Sequence, residues 1–191
     1  QTVTTLPNFI SWIVVFTLAF AMFSSDGMVN NVIRAFGGTQ TINPLGDNDH
    51  AWMFQWALAT WKTLGWSAII YIASIAGIDQ ELYNAAQVDG ANRFQQILHV
   101  TIPGLQPTFF VLLLLQISNI LSNGFDQYFI FYNPLTADKL EVLDYYVYKI
   151  GVLTNNYPQS IALGMFKTIV SIVLLFSANG ISKKLRGESI V

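Results

Sequence analysis

The chain has 191 residues, of which 53% are hydrophobic and only 10% charged, with a formal net charge of -2. Ordinary soluble domains carry roughly 25% charged residues, and a chain of this length has too little interior to hide so much apolar surface, whereas lipid accepts it on the outside of every helix. So small a net charge gives no footprint for nucleic acid, and the absence of cysteine excludes disulfides, thiolate metal sites and a cysteine nucleophile.

Four apolar runs follow in chain order. A membrane span needs about 20 residues at a rise of 1.5 Å, which places spans at about residues 7–24, 54–78, 107–123 and 159–181. The second and fourth reach that length on apolar residues alone. The first and third need flanking polar residues, and in the third these are Gln116, Ser118 and Asn119, which must then look inward. Between the first two runs, Ser24 to His50 carries Gly27, Gly37, Gly38, Pro44 and Gly46 with Asp26, Asp47 and Asp49, so it reads as a turn-rich acidic loop. Phe125 to Pro158 is similar in character, and within it Val142 to Leu153 has the pattern of a short amphipathic surface helix. Residues 1–191 form a single transmembrane domain in this reading, an all-α polytopic helical bundle in contact with membrane lipid.

The segment from Glu81 to Pro107 is a polar island between two apolar runs, and a loop of that composition must face water or a partner. Glu81 to Val88 reads as a helix with Leu82, Tyr83, Ala85, Ala86 and Val88 on an apolar side and Glu81 in the first turn, where the dipole favours a carboxylate. Asp89-Gly90 interrupts it, because glycine enters the left-handed region at little cost and lets the chain turn sharply. A second helix through Phe94, Ile97 and Leu98 is expected to be punctuated by Pro103 and Pro107 before the next span. Small Ala85, Ala86 and Ala91 allow another surface to approach closely, so the product is a docking shape.

The pattern Ala85-Ala86-x-x-Asp89-Gly90-Ala91, followed by Phe94, Ile97 and Ile102-Pro103, resembles the cytoplasmic EAA loop of the permease subunits of ATP-binding-cassette importers. The likeness extends over essentially the whole chain, from Leu6-Pro7 to the final run from Pro158 to Lys184, and is nearest to the permeases of complex or oligomeric carbohydrates. That resemblance implies an ABC importer permease fold of about six spans, two of them expected before Gln1. It implies a coupling loop at residues 79–106 with Glu81, Asn84, Ala85, Ala86, Asp89, Gly90, Ala91, Phe94, Ile97 and Pro103 as docking residues. The implied partners are ABC ATPase subunits, a second permease subunit and an extracytoplasmic solute-binding protein, in the plasma membrane of a prokaryote, with no bound cofactor. The family's first motif position is a glutamate that pairs with a basic residue of the ATPase. Here that position is Asn84, with Glu81 one helical turn earlier.

Orientation follows lysine and arginine in short loops. Arg93, Lys183, Lys184 and Arg186 lie on the side of the island, against Arg34, Lys139 and Lys149 on the other, which favours an island and C-terminus facing the cytoplasm. Gln116, Asn119 and Asn123 recur on one side of a helix and suit either a sugar pathway or interhelical hydrogen bonds. Lys167, within the last span, must snorkel or face a cavity, and Lys62 is expected to reach water from near a helix end. No phosphate-binding loop exists, since no lysine follows a glycine. No spacing recommends a catalytic triad or a metal site either, so the chain is a transport subunit rather than an enzyme. The rival reading is a secondary transporter or membrane assembly subunit without an ATPase.

Overall fold

A computed structural model describes residues 2–122 and 124–186, apart from the side chains of residues 181 and 184–186. In chain order the helices are α1 (Thr2–Phe9), α2 (Trp12–Phe23), α3 (Met28–Ala35), α4 (Ala51–Ala76), α5 (Gln80–Val88) and α6 (Arg93–Gln96). A π-turn at Ile97–Thr101 leads into α7 (Ile102–Ser118), followed by α8 (Phe125–Phe131), α9 (Ala137–Leu140) and α10 (Leu143–Tyr148). A second π-turn at Lys149–Leu153 precedes α11 (Tyr157–Arg186). Among the described residues all regular structure is helical.

Three helical stretches, Trp12–Ala35, Arg93–Ser118 and Tyr157–Gly180, are long and apolar enough to cross a membrane among the described residues. A fourth is reached if α4 and α5, bent by 66° at their junction, count together. The helix at Met28–Ala35 falls inside the segment expected to be loop. Met28, Val32 and Ile33 give it an apolar side, and Gly27, Ser24 and Asp26 interrupt it from α2 without preventing a new start. The third run is shifted as well, ending at Ser118 rather than near residue 123, with Asn119 as its C-terminal cap.

Two compact units emerge, one formed by the chain up to Gly65 with Leu121–Lys167, the other by Trp66–Ile120 with the chain from Thr168 onward. The core of the first gathers Val15 and Ala19 from α2, Ala51 from α4, Tyr128 and Phe131 from α8, and Leu140, Val142 and Tyr145. Phe131 is the pivot, with the rings of Phe16 and Trp12 edge-on to it at 5.1 and 6.4 Å between centroids. Buried polar groups here are paired across long stretches of sequence. Gln127 Nε2 donates to Gln55 Oε1 at 2.7 Å and to its backbone carbonyl at 3.0 Å. Fully buried Asn30 donates to Ser24 O and Ile42 O and accepts from Ile42 N, tying down the loop after α3.

Lys62 departs from expectation. It is buried in the middle of α4, and its ammonium donates to Asn8 O at 2.8 Å and Pro7 O at 3.3 Å while lying 5.6 Å from the centre of the Trp12 ring. Those carbonyls belong to the last turn of α1, where the macrodipole favours a cation. The backbone of α1 comes close enough to α4 that a Cβ on Gly65 would stand 2.0 Å from Thr4 O, so glycine is required there by contact alone.

In the second unit few side chains are buried. Leu114 is buried on α7, while Phe109, Val111, Leu113 and Leu115 on the same helix are exposed. The exposed apolar surface of α7 and of α11 is what lipid, rather than water, accepts.

Candidate functional site

The polar island becomes a helix, a tight turn and a second helix, each with a local cause. Asp79 caps α5, its side chain accepting from Glu81 N at 2.9 Å, and Glu81 occupies the first turn. At the other end Gly90 N bonds Gln87 O at 3.0 Å and Ala91 N bonds Ala86 O at 2.9 Å, the paired bonds of a Schellman closure. Gly90 carries the left-handed torsion this closure needs, with φ of +79°, and a Cβ there would meet nothing within 4 Å. Its requirement for glycine is therefore purely torsional.

Asn92 restarts the chain. Its side chain accepts from Gln95 N at 2.9 Å while Gln95 Oε1 accepts from Asn92 N at 2.8 Å, a reciprocal capping box. The Asn-x-x-Gln spacing of Asn92 and Gln95 is the sequence signal for this box. Pro103 and Pro107 do not punctuate this second helix as expected. The helix runs from Arg93 to Ser118, and the π-turn at Ile97–Thr101 lies just before Pro103, which sits in the first turn of α7. A π-turn is the kind of local widening that accommodates a missing proline N–H without ending a helix. His99 lies within it, its Nδ1 donating to Gln95 O at 3.0 Å.

The apolar side expected of α5 is split in two. Tyr83 and Ala86 are half-buried and face the unit's own interior, whereas Leu82, Ala85 and Val88 are exposed. Val88 is 87% exposed and Phe94, across the turn, 73%, so two large apolar groups flank Gly90 in the open. At the turn itself lies a cleft of about 290 Å³ lined by Ala86, Asp89, Gly90, Ala91, Gln95, His99 and Val100. Its walls combine small Ala86, Gly90 and Ala91 with polar Asp89, Gln95 and His99. Glu81 and Asn84, three residues apart on one helical face, are both exposed. Ile97 and Pro103, also expected at the site, are exposed further along the second helix.

The expected pathway residues do not form one row. Gln116 is exposed near the end of α7, and Asn119 Nδ2 donates to Leu115 O at 3.0 Å, so that amide closes its own helix end. Asn123 lies outside the described residues. Lys167 belongs to the other unit, where it neither snorkels nor points into open space. It forms an ion pair with Asp144 of α10, the two side chains being 20% and 17% exposed. No local spacing in the segment from Phe125 to Pro158 marks Asp144 as the partner of a lysine 23 residues later.

Residues 1–187 match the family described as the binding-protein-dependent transport system inner membrane component. Protein LplB of Bacillus subtilis (strain 168) is 38% identical over 191 residues, covering all of this chain and 60% of that protein. The polygalacturonan/rhamnogalacturonan transport system permease protein YteP of the same organism is 36% identical, over all of this chain and 59% of its own. In the crystal structure of a bacterial alginate ABC transporter in complex with an alginate pentasaccharide-bound periplasmic protein, one chain superposes with a TM-score of 0.91 at 33% identity. That match covers 99% of this chain and 66% of the other. The chain thus spans about three fifths of the curated relatives it matches. Family match, identity and shared helical fold agree: the chain belongs to the family of binding-protein-dependent transport system inner membrane components.

Proposed function

We propose that the chain is the transmembrane permease subunit of an ATP-driven importer that takes an oligosaccharide from an extracytoplasmic binding protein. ATP hydrolysis resides on separate subunits that dock on the turn between α5 and α6, and solute passes along a path formed with a second permease subunit. The island and the C-terminus face the cytoplasm, which the distribution of Arg93, Lys183, Lys184 and Arg186 supports. The substrate class rests on the relatives. YteP is a polygalacturonan/rhamnogalacturonan permease by name, and the structural relative imports alginate.

One observation carries the coupling role. The chain closes a tight, hydrogen-bonded turn at Gly90 and yet leaves Val88 before it and Phe94 after it exposed, with a cleft walled in part by Ala86, Gly90 and Ala91 at the turn. Exposed apolar groups on either side of a hydrogen-bonded turn, outside any apolar run, call for a protein partner rather than lipid. A turn held by a docked partner moves with it, and closure of a paired ATPase would rock the attached spans as near-rigid bodies. Glu81 supplies the charge that Asn84 lacks, since both sit on one face of α5.

The test is substitution of Gly90 in the full-length protein reconstituted with its ATPases and binding protein. Gly90→Val puts a β-branched residue at φ of +79° and is expected to abolish solute-stimulated ATP hydrolysis while leaving membrane insertion intact. Gly90→Asn, which tolerates that torsion, retains most of it. Unchanged coupling in Gly90→Val overturns the assignment.

A further inference from the structure

A seam of three contacts runs along α7 inside the second unit. Ser74 and Thr108 share a hydrogen bond between hydroxyls at 2.6 Å, Ile78 lies against Gly104, and Tyr83 Oη and Thr101 Oγ1 are 2.8 Å apart. Thr101, Gly104 and Thr108 recur at three and four residues and so share one helical face. Opposite them the chain comes down α4 through Ser74, bends at Ile78 and enters α5 at Tyr83. The first contact lies above the 66° bend and the last beyond it. A Cβ on Gly104 would stand 2.7 Å from Ile78 Cδ1, so the middle contact depends on close approach.

The third rung differs from the other two in what it joins. Tyr83 is half-buried on the helix that carries the exposed docking residues, and Thr101 closes the π-turn from which α7 begins. A π-turn holds one residue more than an α-turn, so the helical faces before and after it are offset by about 100° from those of an unbroken helix. The face bearing Thr101 is thereby directed independently of the face bearing Phe94. Apart from this bond, α5 is joined to the span at its two ends, through the bend at Gly77–Asp79, where Ile78 lies against Gly104, and through the Gly90 turn.

We propose that the Tyr83–Thr101 hydroxyl pair is a positioning contact that makes α5 and the base of α7 move as one piece, so that motion of a docked ATPase reaches the span. This inference rests on the coupling role proposed above. Neither residue touches solute or nucleotide. Their part is mechanical, and it is separate from the affinity of docking.

Tyr83→Phe and Thr101→Val each delete one hydroxyl with little change of shape. In the full-length, reconstituted transporter each variant is expected to lower solute transported and solute-stimulated ATP hydrolysis at least fivefold. ATPase subunits co-purify at wild-type levels, and basal hydrolysis stays within twofold. The double variant is no worse than the more severe single, because both remove the same bond. Ser74→Ala, which removes the rung above the bend, loosens packing without uncoupling and keeps the transport-to-hydrolysis ratio within twofold. Wild-type coupling in either hydroxyl variant overturns the inference, and so does a Ser74→Ala loss equal to that of Tyr83→Phe. If the unmodified protein retains no ATPase at all, the coupling role itself fails, and the link is then judged by spin labels at Gln87 and Gln106. A single narrow distance in the parent that broadens in Tyr83→Phe upholds it, and identical distributions overturn it.

Discussion

The turn between α5 and α6 and the polar contacts of the first unit meet the same problem, polar groups beside apolar helices, by opposite means. The bonds that cap α5, close the turn and start α6 are local. Asp79 caps α5, Ala86 and Gln87 accept from the residues that close it, and Asn92 and Gln95 cap each other. In the first unit the partners are distant in sequence, with Gln127 on Gln55, Lys62 on Asn8 and Lys167 on Asp144. A segment built from local bonds can keep its shape while its outer face stays open, and Val88 and Phe94 are open. A segment built from distant pairs is ordered only when the whole unit is ordered. The first arrangement suits a surface that binds and releases a partner, the second suits a frame.

The largest expected effect is in the frame. Lys167→Met leaves the Asp144 carboxylate mostly buried without a counter-charge, a change that typically destabilises by about 3–5 kcal/mol. In Lys167→Met with Asp144→Leu most of that loss is recovered, because both charges are gone. Thermal unfolding of the detergent-solubilised protein reads both values. A single variant as stable as the parent would remove the pair from the frame.

A smaller effect is expected at the turn. Asn92→Ala removes one half of the capping box at a cost of about 1 kcal/mol. Because the loss is local, it shows as faster amide hydrogen exchange across residues 92–96 with little change in the unfolding temperature. A global loss of stability instead would mean that the turn is part of the frame, and the contrast drawn above would fail. The smallest effect concerns the missing acid. Asn84→Glu gives the exposed face of α5 a second carboxylate beside Glu81, and a charge-assisted bond is about twice as strong as a neutral one. ATPase subunits should bind about threefold tighter, a gain measurable by titration of the solubilised permease and lost on adding Glu81→Gln. No gain would place the motif's charge elsewhere.

Legibility followed the same division. The helix from Glu81 to Val88 and the left-handed Gly90 were readable because their causes lie within a few residues, and the bonds found there are the ones such residues make. The capping box has an equally local cause in Asn92 and Gln95, whereas the prolines are no guide to the helix end, since Pro103 sits in the first turn of α7 after a π-turn and breaks nothing. The split of the α5 apolar side was hidden. Only the packing of Tyr83 against Thr101 distinguishes inward from outward faces on a helix with apolar groups nearly all round. Lys62 and Lys167 carry no sign of their partners, because Asn8 lies 54 residues away and Asp144 lies 23. The α-helical, multi-pass character of this inner-membrane component was legible from composition together with the four apolar runs.

Site-directed photocross-linking tests the central claim most directly. A photoreactive phenylalanine analogue at Val88, or at Phe94, is placed in the full-length permease expressed with its ATPase subunits, and the cross-linked products are separated by mass. The account predicts a covalent adduct with the ATPase subunit from both positions, and none from the same analogue at Ile169, which is exposed on α11 within the apolar stretch Tyr157–Gly180. Adducts with lipid alone from Val88 and Phe94, or equal ATPase capture from Ile169, would contradict it.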